Sequence, residues 1–99
     1  MPRADRPALQ LKATAGQLLV IALDANAGAG LLWKPPAAPA GCSLVADGQK
    51  PGGAGEGGGV QQRFVFTAAA AGAHALRFEL KRDWEAQPQA VQVVQVSVG

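Results

Sequence analysis

Residues 74–81 read HALRFELK, in which every second side chain is large or aromatic and those between them are small or charged. The first set consists of His74, Leu76, Phe78 and Leu80. Successive side chains of a β-strand point to opposite faces of its sheet, so a period of two is typical of a strand with one buried face. This stretch therefore predicts an amphipathic strand that packs against a core.

The same period recurs on both sides of this strand. Residues 60–66 place Phe64 and Phe66 on one face together with Gln62. Further strands are predicted over residues 9–12, 18–23, 31–34, 43–46 and 90–98. In the last of them the apolar parity changes after Val93, which predicts either a β-bulge or burial on both faces. About seven short strands separated by turn residues predict an all-β, immunoglobulin-like antiparallel β-sandwich.

Three other features bear on the fold. The Ala-rich residues 67–75 are predicted to form a strand, a turn and a strand, because the stretch is short, uncapped and interrupted by Gly72. Residues 47–59 read DGQKPGGAGEGGG and predict a mobile loop, because glycine loses the most backbone freedom on ordering. Trp33 lies on the third predicted strand, where a tryptophan commonly fills the interior of a sandwich, so we expect it in the core.

The length of 99 residues predicts one domain, residues 1–99, with residues 1–7 as a disordered N-terminal tail. The net charge is +2 and the basic residues are scattered, so we expect no nucleic-acid partner. No apolar run approaches the roughly 20 residues of a membrane helix, so we expect no membrane partner. We also expect a monomer. The first residues lack the apolar segment of a secretory signal. The compartment stays open: periplasmic or secreted if a signal peptide was removed, and cytoplasmic otherwise.

Residues that could catalyse a reaction are scarce. The single cysteine, Cys42, cannot form an internal disulfide, and with His74 it could in principle form a thiol nucleophile. However, Cys42 follows a Pro-rich turn and His74 begins an apolar strand face, so we interpret both as structural residues. No His/Cys cluster has metal-ligand spacing, and the glycine tract lacks the Lys-Ser/Thr of a phosphate loop. The sequence predicts no enzyme, no metal site and no cofactor.

Three connections between the predicted strands have unusual compositions. They are residues 26–33 (NAGAGLLW), 55–58 (GEGG) and 82–84 (RDW). In an immunoglobulin-like sandwich they would be the B–C, D–E and F–G loops, which lie at the same end. We therefore expect the three loops to form one surface.

On these loops the sequence resembles the chagasin family, whose members inhibit papain-like cysteine peptidases. That family carries an Asn-Pro-Thr-Thr-Gly loop followed by a residue pair and Trp, then a Gly-x-Gly-Gly loop and an Arg-Pro-Trp loop. The positions that match are Asn26, Gly30, Trp33, Gly55, Gly57, Gly58, Arg82 and Trp84. The positions that depart are Ala27 for Pro, Gly28 and Ala29 for the two Thr, and Asp83 for Pro.

The resemblance implies a reversible protein inhibitor that wedges the three loops into the cleft of a papain-like cysteine peptidase. The implied peptidase-binding residues are Asn26, Ala27, Gly28, Ala29, Gly30, Gly55, Glu56, Gly57, Gly58, Arg82, Asp83 and Trp84. Trp84 is the expected anchor, because an aromatic side chain among polar loop neighbours is typical of recognition. Loss of the proline and of both hydroxyl groups is expected to loosen the first loop and to remove hydrogen bonds to a target.

Bland interpretations stay open beside these. Asn26 could cap its own turn, Arg82 could be a solvated charge, and the glycine tract could be a tolerated insertion. For the whole chain, the alternatives are a non-inhibitory binding module whose loops have drifted on the same scaffold, and a structural or adhesion domain of a larger protein.

Overall fold

The computed structural model describes residues 4–5, 7–51 and 59–99. Its elements are β1 (Ala4–Asp5), β2 (Leu9–Ala13), β3 (Leu19–Asn26), the 3₁₀ turn η1 (Ala27–Ala29), β4 (Leu32–Lys34), β5 (Cys42–Pro51), β6 (Gly59–Ala68), β7 (Gly72–Lys81) and β8 (Ala90–Val98). Over these ranges there is no α-helix, and no helix that is long and apolar enough to span a membrane. The all-β prediction is confirmed.

The strands form two sheets. One has the order β4-β7-β8, with β1 and β2 following one another along the outer edge of β8, and the other has the order β3-β6-β5. At the end called here the loop end, β3 stops at Asn26 and β7 stops at Lys81, while β6 and β8 begin. The opposite end is called the far end. This arrangement confirms the immunoglobulin-like sandwich predicted from the periodicity.

One edge differs from the antiparallel expectation, because β1 and β2 both pair with β8 in parallel. Strand β3 begins at the far end, where β8 also finishes. Because the chain must reach that end before β3 can start, β2 runs in the same direction as β8. Three backbone hydrogen bonds hold the connection from β2 to β3: Ala15 N–H donates to Gly99 O, Gly99 N–H to Ala13 O, and Gly16 N–H to Ala68 O. Within the predicted tail, residues 4–5 pair with β8; disorder over 1–7 stays a prediction.

The core lies between the sheets and is formed by the alternating faces predicted from the sequence. Its largest fully buried side chains are Trp33, Phe64, Phe66, Phe78, Ile21, Leu76, Val94 and Val96. Phe64 of one sheet and Phe78 of the other lie with ring centroids 5.0 Å apart, so their rings join the two sheets. Trp33 is 1% exposed, which confirms its predicted place in the core.

A polar contact also joins the sheets, between Gln62 of β6 and the backbone of Trp33 on β4. The Trp33 N–H donates to Gln62 Oε1 over 2.7 Å, and Gln62 Nε2 donates to the Trp33 carbonyl over 3.2 Å. The Trp33 indole Nε1 donates to the Asp24 carbonyl of β3 over 2.8 Å. The Gln62 amide thus pairs with the edge of β4 as a neighbouring strand would, which satisfies buried backbone groups.

Strand β5 corrects the prediction that residues 47–59 form a mobile loop. β5 continues through residues 47–51 and pairs with β6 again at Gln49, after a bulge that follows Ala46. The bulge accommodates Gly48, whose φ of +84° is a conformation that favours glycine. The glycine tract proper, residues 52–58, lies outside the described residues.

The predicted change of parity in β8 is resolved as burial on both faces. The pairing of β7 with β8 is continuous from Leu80↔Ala90 to Gly72↔Val98, so this pair contains no bulge. Val91 is buried on the outer face, while Gln92 occupies a core-facing position and is 4% exposed. Gln92 Nε2 donates to the carbonyl of Pro7, which satisfies this buried amide. The Ala-rich stretch is a strand–turn–strand junction, as predicted.

The Gln62 bridge leads to a stability prediction. Gln62→Leu removes the amide that pairs with the buried N–H and carbonyl of Trp33, and we expect the free energy of unfolding to fall by about 2–3 kcal/mol. Gln61→Leu is the matched control, because Gln61 is the neighbouring residue on β6 and points to the outer face. Urea denaturation followed by tryptophan fluorescence measures both. Equal unfolding midpoints for the two variants would contradict a stabilising bridge.

Candidate functional site

The first loop is a closed turn rather than an extended segment. Asn26 and Leu31 form an isolated antiparallel bridge, in which Leu31 N–H donates to the Asn26 carbonyl over 3.0 Å. Between them, η1 forms one 3₁₀ turn, and Gly30 N–H donates to the Ala27 carbonyl over 2.9 Å. Gly30 ends the turn with φ +78°, in the left-handed region that glycine adopts without strain.

The side chains of this loop are small and partly accessible. Asn26 and Gly28 are exposed, whereas Ala27, Ala29 and Gly30 are half-buried. The Asn26 side chain makes no capping hydrogen bond, so the interpretation of Asn26 as a side-chain cap is not supported. Backbone hydrogen bonds close the turn instead.

The third loop leaves β7 as a tight turn over residues 82–85. Glu85 N–H donates to the Arg82 carbonyl over 3.1 Å, and the Glu85 carboxylate accepts the Arg82 N–H over 2.7 Å. Gln89 Nε2 donates to the same carboxylate over 2.9 Å. The hydrogen bond from the Arg82 N–H is the largest influence that holds the pKa of Glu85 below its usual value. Glu85 therefore stays charged at neutral pH and ties the turn to the connection that follows it.

Arg82 joins the third loop to the first. Its Nε donates to the carbonyl of Ala29 in η1 over 2.8 Å. A Cβ atom placed on Gly30 would lie 3.6 Å from Arg82 Cγ and 3.7 Å from Trp84 Cη2, so the left-handed Gly30 sits against both side chains. The half-buried Arg82 is therefore a structural link between loops rather than only a solvated charge.

At the tip of the third loop, Trp84 is 78% exposed. Its neighbour Asp83 accepts a hydrogen bond from Lys34 Nζ of β4 over 2.5 Å. This hydrogen bond, with the charge of Lys34, holds the pKa of Asp83 below its usual value. The loop end thus presents a large apolar side chain on a turn that is held by polar contacts on both sides.

The predicted second loop, Gly55, Glu56, Gly57 and Gly58, lies outside the described residues. Its C-terminal neighbour Gly59 begins β6 and pairs with Asn26, the residue that ends β3. The described chain therefore resumes, at Gly59, directly beside the first loop. Among the predicted site residues, the structure brings together Asn26–Gly30 and Arg82–Trp84.

Three residues that support the site were not singled out in the sequence: Lys34, Glu85 and Gln89. The spacing of Arg82 and Glu85, which allows contact across one turn, was a sequence signal for Glu85. Lys34 and Asp83 are far apart in sequence and carry no local signal. The contact exists only because β4 and the end of β7 are neighbours in one sheet.

The Cys42–His74 pair lies at the far end and not at the loops. Cys42 pairs with Ala68 at the end of β6, and its Sγ lies 3.6 Å from His74 Nε2. Both residues are half-buried, Cys42 packs against the core, and the His74 ring contacts Phe66 with centroids 5.9 Å apart. In residues 4–5, 7–51 and 59–99, no group of three or more His, Cys, Asp or Glu side chains could hold a metal ion.

Comparisons with known proteins agree with this geometry. The fold is similar to the crystal structure of the cysteine protease inhibitor EhICP2 from Entamoeba histolytica, with a TM-score of 0.67 and 16% identity over 100% of both chains. No curated protein matches the sequence. The family model described as Chagasin family peptidase inhibitor I42 matches residues 12–98. The chain therefore belongs to the chagasin family of peptidase inhibitors.

Proposed function

We propose that this inhibitor blocks papain-like cysteine peptidases reversibly, by inserting its loop end into the active-site cleft. The observation that carries the proposal is the exposed Trp84 on a turn that Arg82 ties to the first loop. We propose a monomer as the active form, with the peptidase as its partner and with no catalytic activity, cofactor, nucleic acid or membrane of its own.

In this proposal the first loop covers the catalytic cysteine and histidine of the peptidase. Residues 27–30 carry at most a methyl group, so their backbone can approach a thiol closely. The hydrogen bonds from Gly30 to Ala27 and from Leu31 to Asn26 keep this backbone in a turn. To lie in a cleft as an extended strand, as a bound peptide does, the loop would have to break them. A closed turn is therefore suited to blocking the cleft without offering a cleavable peptide.

The outer loops would contact the cleft walls. Trp84 is the most exposed large apolar side chain in the described part of the chain, and tryptophan is enriched among residues that dominate binding energy. Because its turn is already ordered, Trp84 would lose little conformational entropy on binding. In this proposal the Gly55–Gly58 loop offers its backbone to the other cleft wall.

The first experiment is inhibition of papain by the purified chain, with recovery of activity on dilution as the mark of reversibility. Trp84→Ala is expected to raise the inhibition constant about thirtyfold, which corresponds to about 2 kcal/mol of lost binding free energy. Leu18→Ala is the matched control, because Leu18 is 73% exposed but precedes β3 at the far end. No inhibition by the wild type at micromolar concentration would refute the proposed function.

A second prediction concerns the shape of the first loop. Gly30→Ala places a Cβ on a left-handed backbone, and we expect about 1 kcal/mol of destabilisation from that strain. Gly16→Ala is the matched control, since Gly16 has φ +80° and open space around it at the far end. Both variants should lose similar stability in urea denaturation. Only Gly30→Ala should weaken inhibition, because relief of its backbone strain would change the shape of the first loop, while the added Cβ itself would make ordinary contacts with Arg82 and Trp84. Equal inhibition by both variants would show that the Gly30 turn does not contribute.

A further inference from the structure

We propose that Lys34, on β4, is a positioning residue for the peptidase-binding loop: its ion pair with Asp83 restrains the turn that carries Trp84, and it makes inhibition depend on ionic strength. This inference rests on the proposed function and extends it to a residue outside the three loops. Neither member of the pair need contact the peptidase in this account. The pair acts through the conformation of the neighbouring tryptophan.

In the turn over residues 82–85, the backbone of Asp83 occupies a position at which restraint of φ favours the turn. The hydrogen bond from Glu85 N–H to the Arg82 carbonyl makes residues 82–85 a β-turn, with Asp83 at its second position and Trp84 at its third. The second position of common turns is where proline is favoured, because a fixed φ removes freedom that the turn must otherwise lose. Aspartate supplies no such restriction through its own backbone.

The ion pair supplies a restraint from outside the turn. Lys34 is the last residue of β4, which is held by β7 on one side and by the Gln62 bridge at the preceding residue. Its Nζ lies 2.5 Å from Asp83 Oδ1, while the side chains of Lys34 and Asp83 are 36% and 85% exposed. A side chain based on an ordered strand therefore reaches across to the second residue of the turn.

The exposure of the pair fixes both its strength and its sensitivity to salt. Exposed ion pairs contribute little, up to about a fivefold change in an equilibrium, and salt screens them. Lys34 also lowers the pKa of Asp83 below the ordinary 3.8, so the carboxylate stays charged in the neutral and mildly acidic assays used for papain. The remaining contacts of the loop are the hydrogen bond from the Glu85 N–H to the Arg82 carbonyl and two hydrogen bonds between a side chain and a backbone group, and we expect them to persist in salt.

The test is a double-mutant cycle on papain inhibition with Lys34→Met, Asp83→Asn and the double variant. At low ionic strength each single variant should raise the inhibition constant about two- to fivefold, and the double variant should be no worse than either. At about 0.5 M NaCl the wild type should approach the Asp83→Asn variant. Lys12→Met is the matched control, because it removes one positive charge from the far end of β2, beside Ser97.

Asp83→Pro provides the conservative rescue. Proline suits the second position of the turn, and no hydrogen bond from the Asp83 N–H would be lost. This variant should keep the turn around Trp84 ordered, and its inhibition constant should not change with salt as that of the wild type does. An inhibition constant that Lys34→Met leaves unchanged would overturn the proposal. An equal loss from Asp83→Asn with and without Lys34 would also overturn it, because Asp83 would then contact the peptidase directly.

A second readout separates this inference from the proposed function. In the free protein, the ¹⁵N order parameter of the Trp84 backbone amide should fall in Lys34→Met and in Asp83→Asn, and should be retained in Asp83→Pro and Lys12→Met. If the wild type does not inhibit papain, the proposed function fails, and this measurement still decides the positioning role. Order at Trp84 that is unchanged in both ion-pair variants would overturn it.

Discussion

The amide of Gln62 is the contact on which the loop end depends. β4 has only three residues and pairs with β7 along one edge, so its other edge would leave backbone groups of Trp33 facing the interior. Gln62 satisfies them from the opposite sheet, and the Trp33 indole reaches the carbonyl of Asp24 on β3. These bonds connect β4 to β3 and β6 at Trp33, two residues after the Asn26–Leu31 bridge that closes the first loop, so the loop has fixed ends in both sheets.

Because β4 is held to both sheets, the short loops at this end can form a defined surface. Backbone hydrogen bonds close the first loop, and the first loop in turn supplies the Ala29 carbonyl that holds Arg82. The first loop therefore helps to position the third loop, and both loops help to position Trp84. We expect these contacts to keep the exposed tryptophan ordered before binding and so to reduce the entropy lost on association.

The parts of the fold that the sequence predicted are those governed by local periodicity. The alternating faces of residues 60–66 and 74–81 predicted the core, and the order of the strands predicted that the first and third loops lie at one end of the sandwich. Continuation of β5 through residues 47–51 was missed, because polar and glycine residues carry little strand preference and their pairing with β6 is decided by the partner strand. Parallel pairing of β2 was missed because it depends on where β3 starts. The Lys34–Asp83 contact could not be predicted from the sequence, because only the pairing of β4 with β7 brings these two residues together.

The departures from the family's loop motifs acquire a physical meaning in this structure. At the first loop, where Ala27 replaces proline, a 3₁₀ turn and the left-handed Gly30 limit the backbone. At the third, where Asp83 replaces proline, an ion pair with a neighbouring strand limits it. In both places a restraint built into one residue's covalent geometry is exchanged for one that depends on contacts between elements. Contacts of that kind can break without unfolding the sandwich, so we expect these loops to respond more to their surroundings than loops that are restrained by proline.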